Sequence, residues 1–128
     1  MKSIVALALG TSLSCTAAPV LAHHSTSMFE PGKTVTVTGV IKQFQYINPH
    51  SWLIIEVVGA DHAVTTWSFE AEGPQVMMRA GIRKGDLLPG TRITVSGHPM
   101  RDGRHAAAWI RAVRADGKVF DPQPSKGH

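Results

Sequence analysis

Six side chains carry the chemical interest of this sequence: His23, His24, His50, His98, Met100 and His105. Imidazole nitrogens and a thioether are donors for a borderline-to-soft transition metal. Among the divalent ions copper heads the affinity order, and nitrogen with thioether donors suits copper in either oxidation state better than zinc. The adjacent pair in "PVLAHHSTSMF" gains meaning from its place in the chain. If the chain is cut before His23, the free α-amine and Nδ1 of that residue can chelate one ion in a six-membered ring. This histidine-brace geometry suits copper(II), and His24 could add a second imidazole.

The cut is expected because residues 1–22 have the form of a secretory leader: Lys2, an apolar stretch from Ile4 to Leu9, and small residues ending in Val20-Leu21-Ala22. Cleavage after Ala17 or Ala18 competes with cleavage after Ala22, as does a lipoprotein reading through Cys15. That reading has Ser12 where such signals usually carry Leu. The apolar stretch is shorter than the roughly 20 residues that a spanning helix needs, so no membrane anchor is expected. Removal of residues 1–22 takes away the single cysteine, so the stability of residues 23–128 must come from packing. A bacterial periplasm is the expected compartment.

The remaining candidates must be positioned by strands. "KTVTVTGVIKQFQYI" alternates apolar and polar residues and changes phase at Gly39, which suggests a bulge or bend in a long first strand. "SWLIIEVV" and "AVTTWSFEA" follow as strands, and "GPQVMMRAGI" suits one or two helical turns. "TRITVSG" and "AAAWIRAV" complete the set. Three strands, a short helix and two more strands, with the first strand bent, give the order of a five-stranded OB-fold Greek-key barrel, a mainly β fold. A small open sandwich of the same strands is the alternative. The expected organisation is a leader at 1–22, an arm at 23–32, a barrel at 33–120 and a disordered tail at 121–128.

In such a barrel His50, after Asn48-Pro49, lies on the loop between the first two strands, while His98 and His105 flank the loop between the last two. If Asp102-Gly103 forms a two-residue turn, Met100 lies opposite His105 and His98 opposite Ala107, which gathers His98, Met100 and His105 on one face. A loop one residue longer sends His105 to the other face. The plainer readings are a turn-closing role for His50 and exposed loop positions for His98 and His105. Met77 is expected in the core and Met78 outside it. Trp67 shares a face with Phe69 and is a core candidate, and the same register makes Trp109 the surface candidate. Glu70 and Glu72 are read as solubility residues at a strand end.

The basic residues late in the chain, from Arg79 to Arg114, suggest either an anionic partner or a solvated face. One tyrosine, four phenylalanines and export argue against nucleic acid as a ligand. No nucleophile elbow, cysteine nucleophile or phosphate loop is present, so no enzyme is expected.

The segments "AHHS", "VTVTGVIKQFQYINPHSWLIIEV" and "GDLLPGTRITVSGHPMRDGRHAAAWIRAV" together resemble a family of small exported bacterial proteins of unknown function. Its characteristic elements are matched by His23, His24 and Ser25 and by Asn48, Pro49 and His50. The resemblance implies export and an OB-like barrel but carries no mechanism. The leading expectation is a periplasmic copper-binding carrier, buffer or accessory factor. It would use His23 and His24 with His50, its expected partners being a metal ion and a periplasmic metalloprotein, and His98, Met100 and His105 form a second candidate site. A metal-free module holding a protein or small ligand is the alternative, and a brace oxidoreductase is a third.

Overall fold

The structure is a computed structural model and describes residues 28–123. Five strands form the barrel: β1 (Val35–Gln45), β2 (His50–Val58), β3 (Val64–Glu72), β4 (Arg92–Pro99) and β5 (Ala106–Arg114). A short helix α1 (Pro74–Arg79) and a 3-10 turn (Lys84–Asp86) lie between β3 and β4, and a two-residue strand β6 (Val119–Phe120) adds to β5. Every barrel pairing is antiparallel except β3 with β5, which run parallel and close the ring β1-β2-β3-β5-β4. This is the OB-fold order.

Apolar residues at every second position, interrupted at two bulges, fill the ring from all five strands: Ile41 and Phe44 from β1, Leu53 and Ile55 from β2, Phe69 from β3, Ile93 and Val95 from β4, and Ala107, Trp109 and Ala112 from β5. Two bulges rewrite the parity. In β1, Ile41 faces Ile55 while Gln43 faces Ile54, so Lys42 is the extra residue. The buried series therefore passes from Ile41 to Phe44, and the phase slips at Lys42 rather than at Gly39. In β5, Ser96 faces Arg111 but Gly97 faces Trp109, which leaves Ile110 unpaired and moves the inward series from Trp109 to Ala112. Trp109, expected at the surface, is 3% exposed and lies in the core, its ring edge-on to Phe44, because the loop before β5 is one residue longer than a two-residue turn and so pairs Trp109 with inward-facing Gly97 instead of Ser96.

Met77, Ile82 and Leu87 seal one end of the barrel. The Tyr46 hydroxyl lies 3.0 Å from the carbonyls of both Pro74 and Ile82 and ties that end to β1. Met78 is exposed, as its place on α1 predicts. The peptide bond between Asn48 and Pro49 is cis. Past Phe120 the chain remains packed, with Pro122 buried; residues 124–128 of the expected tail lie outside the described residues.

The late basic residues are partly paired. Arg114 donates to Asp116 from Nε (2.9 Å) and Nη2 (2.5 Å) and from Nη1 to the Asp86 carbonyl (2.7 Å). Arg114 and the Lys118 amide hold Asp116 down at a pKa of about 2, and the Arg83 amide with Lys118 holds Asp86 below the ordinary range. Carboxyls depressed in the folded state contribute stability above their unfolded pKa and lose it as pH falls through the folded value. The β5–β6 turn should therefore weaken between about pH 4 and the Asp116 value of about 2. Asp116→Asn should flatten that part of a melting-temperature-versus-pH curve while leaving the slope above pH 5 unchanged, and an unaltered acid limb would refute the assignment.

Candidate functional site

The outward series of β2, β3 and β5 builds one face. Pairing sets Trp52 beside Glu70 and Ile54 beside Ser68, and the parallel junction sets Ser68 beside Ala106 and Glu70 beside Ala108. Two alanines on β5 leave a recess, because their side chains are too short to fill the space above the sheet. The chain before β1 covers this recess. The Met28 carbonyl accepts from the Arg101 amide (3.0 Å), Phe29 bridges to Met100, and the Glu30 amide donates to the Pro99 carbonyl (2.9 Å). Between this arm and the sheet lie two cavities that share Glu70.

The smaller, about 130 Å³, is lined by Phe29, His50, Glu70, Ala108, Trp109 and Gln123 among others. Here His50 Nδ1 lies 3.3 Å from Glu70 Oε1 and 3.3 Å from the Ala71 carbonyl. Two acceptors at one ring nitrogen favour a proton on Nδ1. This is how a carboxylate orients a metal-binding imidazole. Glu70 is only 9% exposed, and a carboxylate so buried needs a polar partner, which His50 supplies.

The larger cavity, about 350 Å³, is lined by Met28, Trp52, Glu70, Met100, Arg104 and His105 with the strand backbone beneath. The His105 ring packs on Trp67 at 5.0 Å between centroids, and its carbonyl accepts from the Ser68 amide (3.1 Å) at the barrel seam. Arg104 Nε is held by Asp102 Oδ2 at 2.7 Å.

Of the residues singled out from the sequence, Met100 and His105 both border the larger cavity, but the longer loop turns the His105 ring onto Trp67, on the face opposite Ser68 and Glu70, and His50 stands on the far side of Glu70 in the next cavity. His98 does not join them. It pairs with Ala108 and not Ala107, and its Nδ1 lies 2.7 Å from the Lys33 carbonyl. The expected register fails because the Met100 amide donates to Ala106, one residue beyond His105, so the loop is longer than a two-residue turn. His23 and His24 lie outside the described residues. Among the described residues no three His, Cys, Asp or Glu side chains converge as a metal site.

Glu70 was not legible as a site residue. Strand alternation does put it opposite Phe69, on the outer face, but its burial depends on an arm about forty residues away in sequence. Met28 was missed for the same reason. A third, apolar cavity of about 780 Å³ lies at the other end of β1, between Phe44, Tyr46 and Ile47 and the segment Lys84–Pro89, and holds none of the histidines.

Neither a curated protein nor a solved structure matches this chain. A family profile does match, over residues 10–109, and so spans the His23-His24 pair and nearly the whole barrel. The chain belongs to the family of unknown function DUF6152.

Proposed function

We propose that this protein is an exported copper-binding carrier or buffer of the bacterial periplasm, whose metal is held by His23 and His24 with His50 as a further ligand. The observation that carries this reading is where the arm meets the barrel. Met28 is pinned to Arg101 beside the cavities that hold His50, Glu70, Met100 and His105. Three residues separate Met28 from His24, four Cα steps that span at most about 14 Å in extended chain. Both histidines are thereby within reach of the recess by covalent geometry alone. Glu70 behind His50 supplies the orienting carboxylate that metal-binding imidazoles ordinarily have.

The chemistry is binding and delivery without a catalytic step. An α-amine and imidazole set takes copper(II), and a shallow, solvent-facing recess allows exchange with a partner metalloprotein. The test is to isolate the exported protein, weigh it intact, and titrate it with copper(II) and zinc. The mass should begin at His23, with one copper(II) bound in preference to zinc. Placing three alanines before His23 should weaken copper(II) by about 100-fold or more, since it destroys the amine–Nδ1 chelate and leaves neither histidine second or third in the chain, where the amine, backbone amides and an imidazole could rebuild a tight copper(II) set. A chain beginning elsewhere, or an extended chain that binds as tightly, would sink the brace.

A second reading is favoured by one observation. The apolar groove beside β1 exposes Ile47 (51%) and Leu88 (58%), and suits a metal-free module holding a protein segment or small apolar ligand. Partner binding that is unchanged by copper, yet lost when Leu88 becomes Glu, would move the assignment to this face.

A further inference from the structure

The apolar groove of about 780 Å³ beside β1 lies where that strand stops pairing on one side. We propose that it docks an extended segment of a partner protein, which adds to the free edge of β1 over residues 43–47 as a further strand and carries an acidic side chain matched to Lys84. This inference rests on the second reading above and deepens it, because it names the occupant and how it is held; it is independent of copper.

The free edge follows from the register. β1 pairs with β4 only from Val35 to Val40. The last backbone bonds on that side run from the Ile41 amide to the Thr91 carbonyl (2.9 Å) and from the Gly90 amide to the Ile41 carbonyl (2.8 Å). Before Gly90 the chain leaves β1 in a turn of type II form. Its Thr91 amide donates to the Leu88 carbonyl (3.3 Å), Pro89 takes the second position and Gly90 the third, at φ 86°. Pro89 also has no N–H to give to a ladder. From Gln43 to Gln45, β1 therefore pairs with β2 alone, and alternate residues of an antiparallel strand turn their N–H and C=O away from that one neighbour. Among the described residues no backbone bond reaches residues 43–47 from the open side.

The chemistry of the gap favours a strand. Native edges discourage pairing with charges and prolines, and Gln43-Phe44-Gln45-Tyr46-Ile47 has neither. The Tyr46 hydroxyl is anchored to two carbonyls, so this stretch is ordered before anything binds. Ile47 and Leu88, one from each wall, are exposed and offer apolar contact to alternate side chains of an added strand. The second wall, Lys84–Pro89, also decides against a second copy of this chain, which would press a whole barrel onto Leu88 and Pro89 where a single strand fits. Lys84 is the one charged residue that lines the groove, and among the described residues it has no ion pair. A carboxylate in the occupant complements it.

The competing explanation is that the Lys42 bulge and the loop wall only shield the edge, as bulges and covering loops do elsewhere. Peptides separate the two. Five strand residues span about 16 Å, so a phage-displayed library of random peptides of about nine residues would cover the edge when selected on the full exported chain. Selection should enrich apolar residues at alternate positions with at least one Asp or Glu. In the synthetic peptide, methylating backbone amides one at a time should weaken binding about tenfold at every second position and little between. Leu88→Glu and Lys84→Glu should each weaken it by about tenfold or more, leaving copper(II) affinity and melting temperature unchanged, since both side chains are exposed.

No enriched peptide, or methylation losses without a period of two, would overturn the inference. Sedimentation showing a dimer that Leu88→Glu breaks would give the edge to a second copy and overturn it equally. If an apolar fluorescent dye bound and was lost in Leu88→Glu while no peptide bound, the second reading would survive and this inference would not. A groove that takes neither peptide nor dye would sink both.

Discussion

Gly39→Val should leave the barrel unable to fold, and Gly39→Ala should lower its stability by roughly 3 kcal/mol or more, at the upper end of what overpacking costs. A Cβ built at this position would stand 2.2 Å from the Glu56 carbonyl oxygen and 3.0 Å from its carbon. Both are backbone atoms of β2, so no rotamer change can relieve the overlap. Gly39 lies where β1 passes from pairing with β4 to pairing with β2, facing Ile93 on one side while β2 closes over it on the other. A small domain has a total stability of about 5–15 kcal/mol, so a displaced β1–β2 junction removes much of it. Urea denaturation of the alanine variant measures the loss. A midpoint within error of wild type would show that β2 can move away, and that the close approach does not hold the barrel.

Gly39 also shows how far sequence can be read. A glycine in an alternating run marked the bend in the first strand correctly in kind, because only a strand that serves two neighbours needs such a close approach. The change of phase belongs to Lys42, three residues later, since a bulge is one unpaired residue and any position near the bend can supply it. The five strands, the helix at Pro74–Arg79 and the OB order followed from alternation and turn residues, which are local signals.

What failed was non-local. A longer loop after Met100 both reversed the face of Trp109 and separated His98 from His105, and the extra residue Ile110 then turned Ala112 rather than Arg111 inward. Strand β6 is two residues long and is defined by its pairing to β5, so its own sequence held no signal. The site was half legible for the same reason. His50, Met100 and His105 were picked out by donor chemistry, whereas Met28, Trp52 and Glu70 become a site only when the arm folds over the sheet.

Phe69→Ala should destabilise the protein by about 3–5 kcal/mol, the cost of removing a buried aromatic ring whose surroundings cannot collapse. Phe69 is fully buried and stands at the centre of β3, facing Leu53 on β2 and Ala107 on β5. Its ring stacks with Trp67 at 6.1 Å, and its Cδ1 would lie 3.1 Å from a Cβ at Gly97. Glycine on β4 and alanine on β5 are therefore the space that the ring occupies. Neither neighbour has atoms with which to fill the void left by alanine, whereas Phe69→Leu keeps part of the contact and should cost less. Denaturant melts of both variants test the ranking, and equal losses would mean that the ring is not the keystone of the seam. The seam matters beyond stability, because the three-residue parallel ladder from Ser68 to Glu70 carries the floor of the methionine-lined cavity on its outer side. One short β-ladder thus has Phe69 as its inner support and Glu70 as its outer charge. An alternating strand links the two faces without a hinge, so a loosened core at Phe69 should loosen the recess as well.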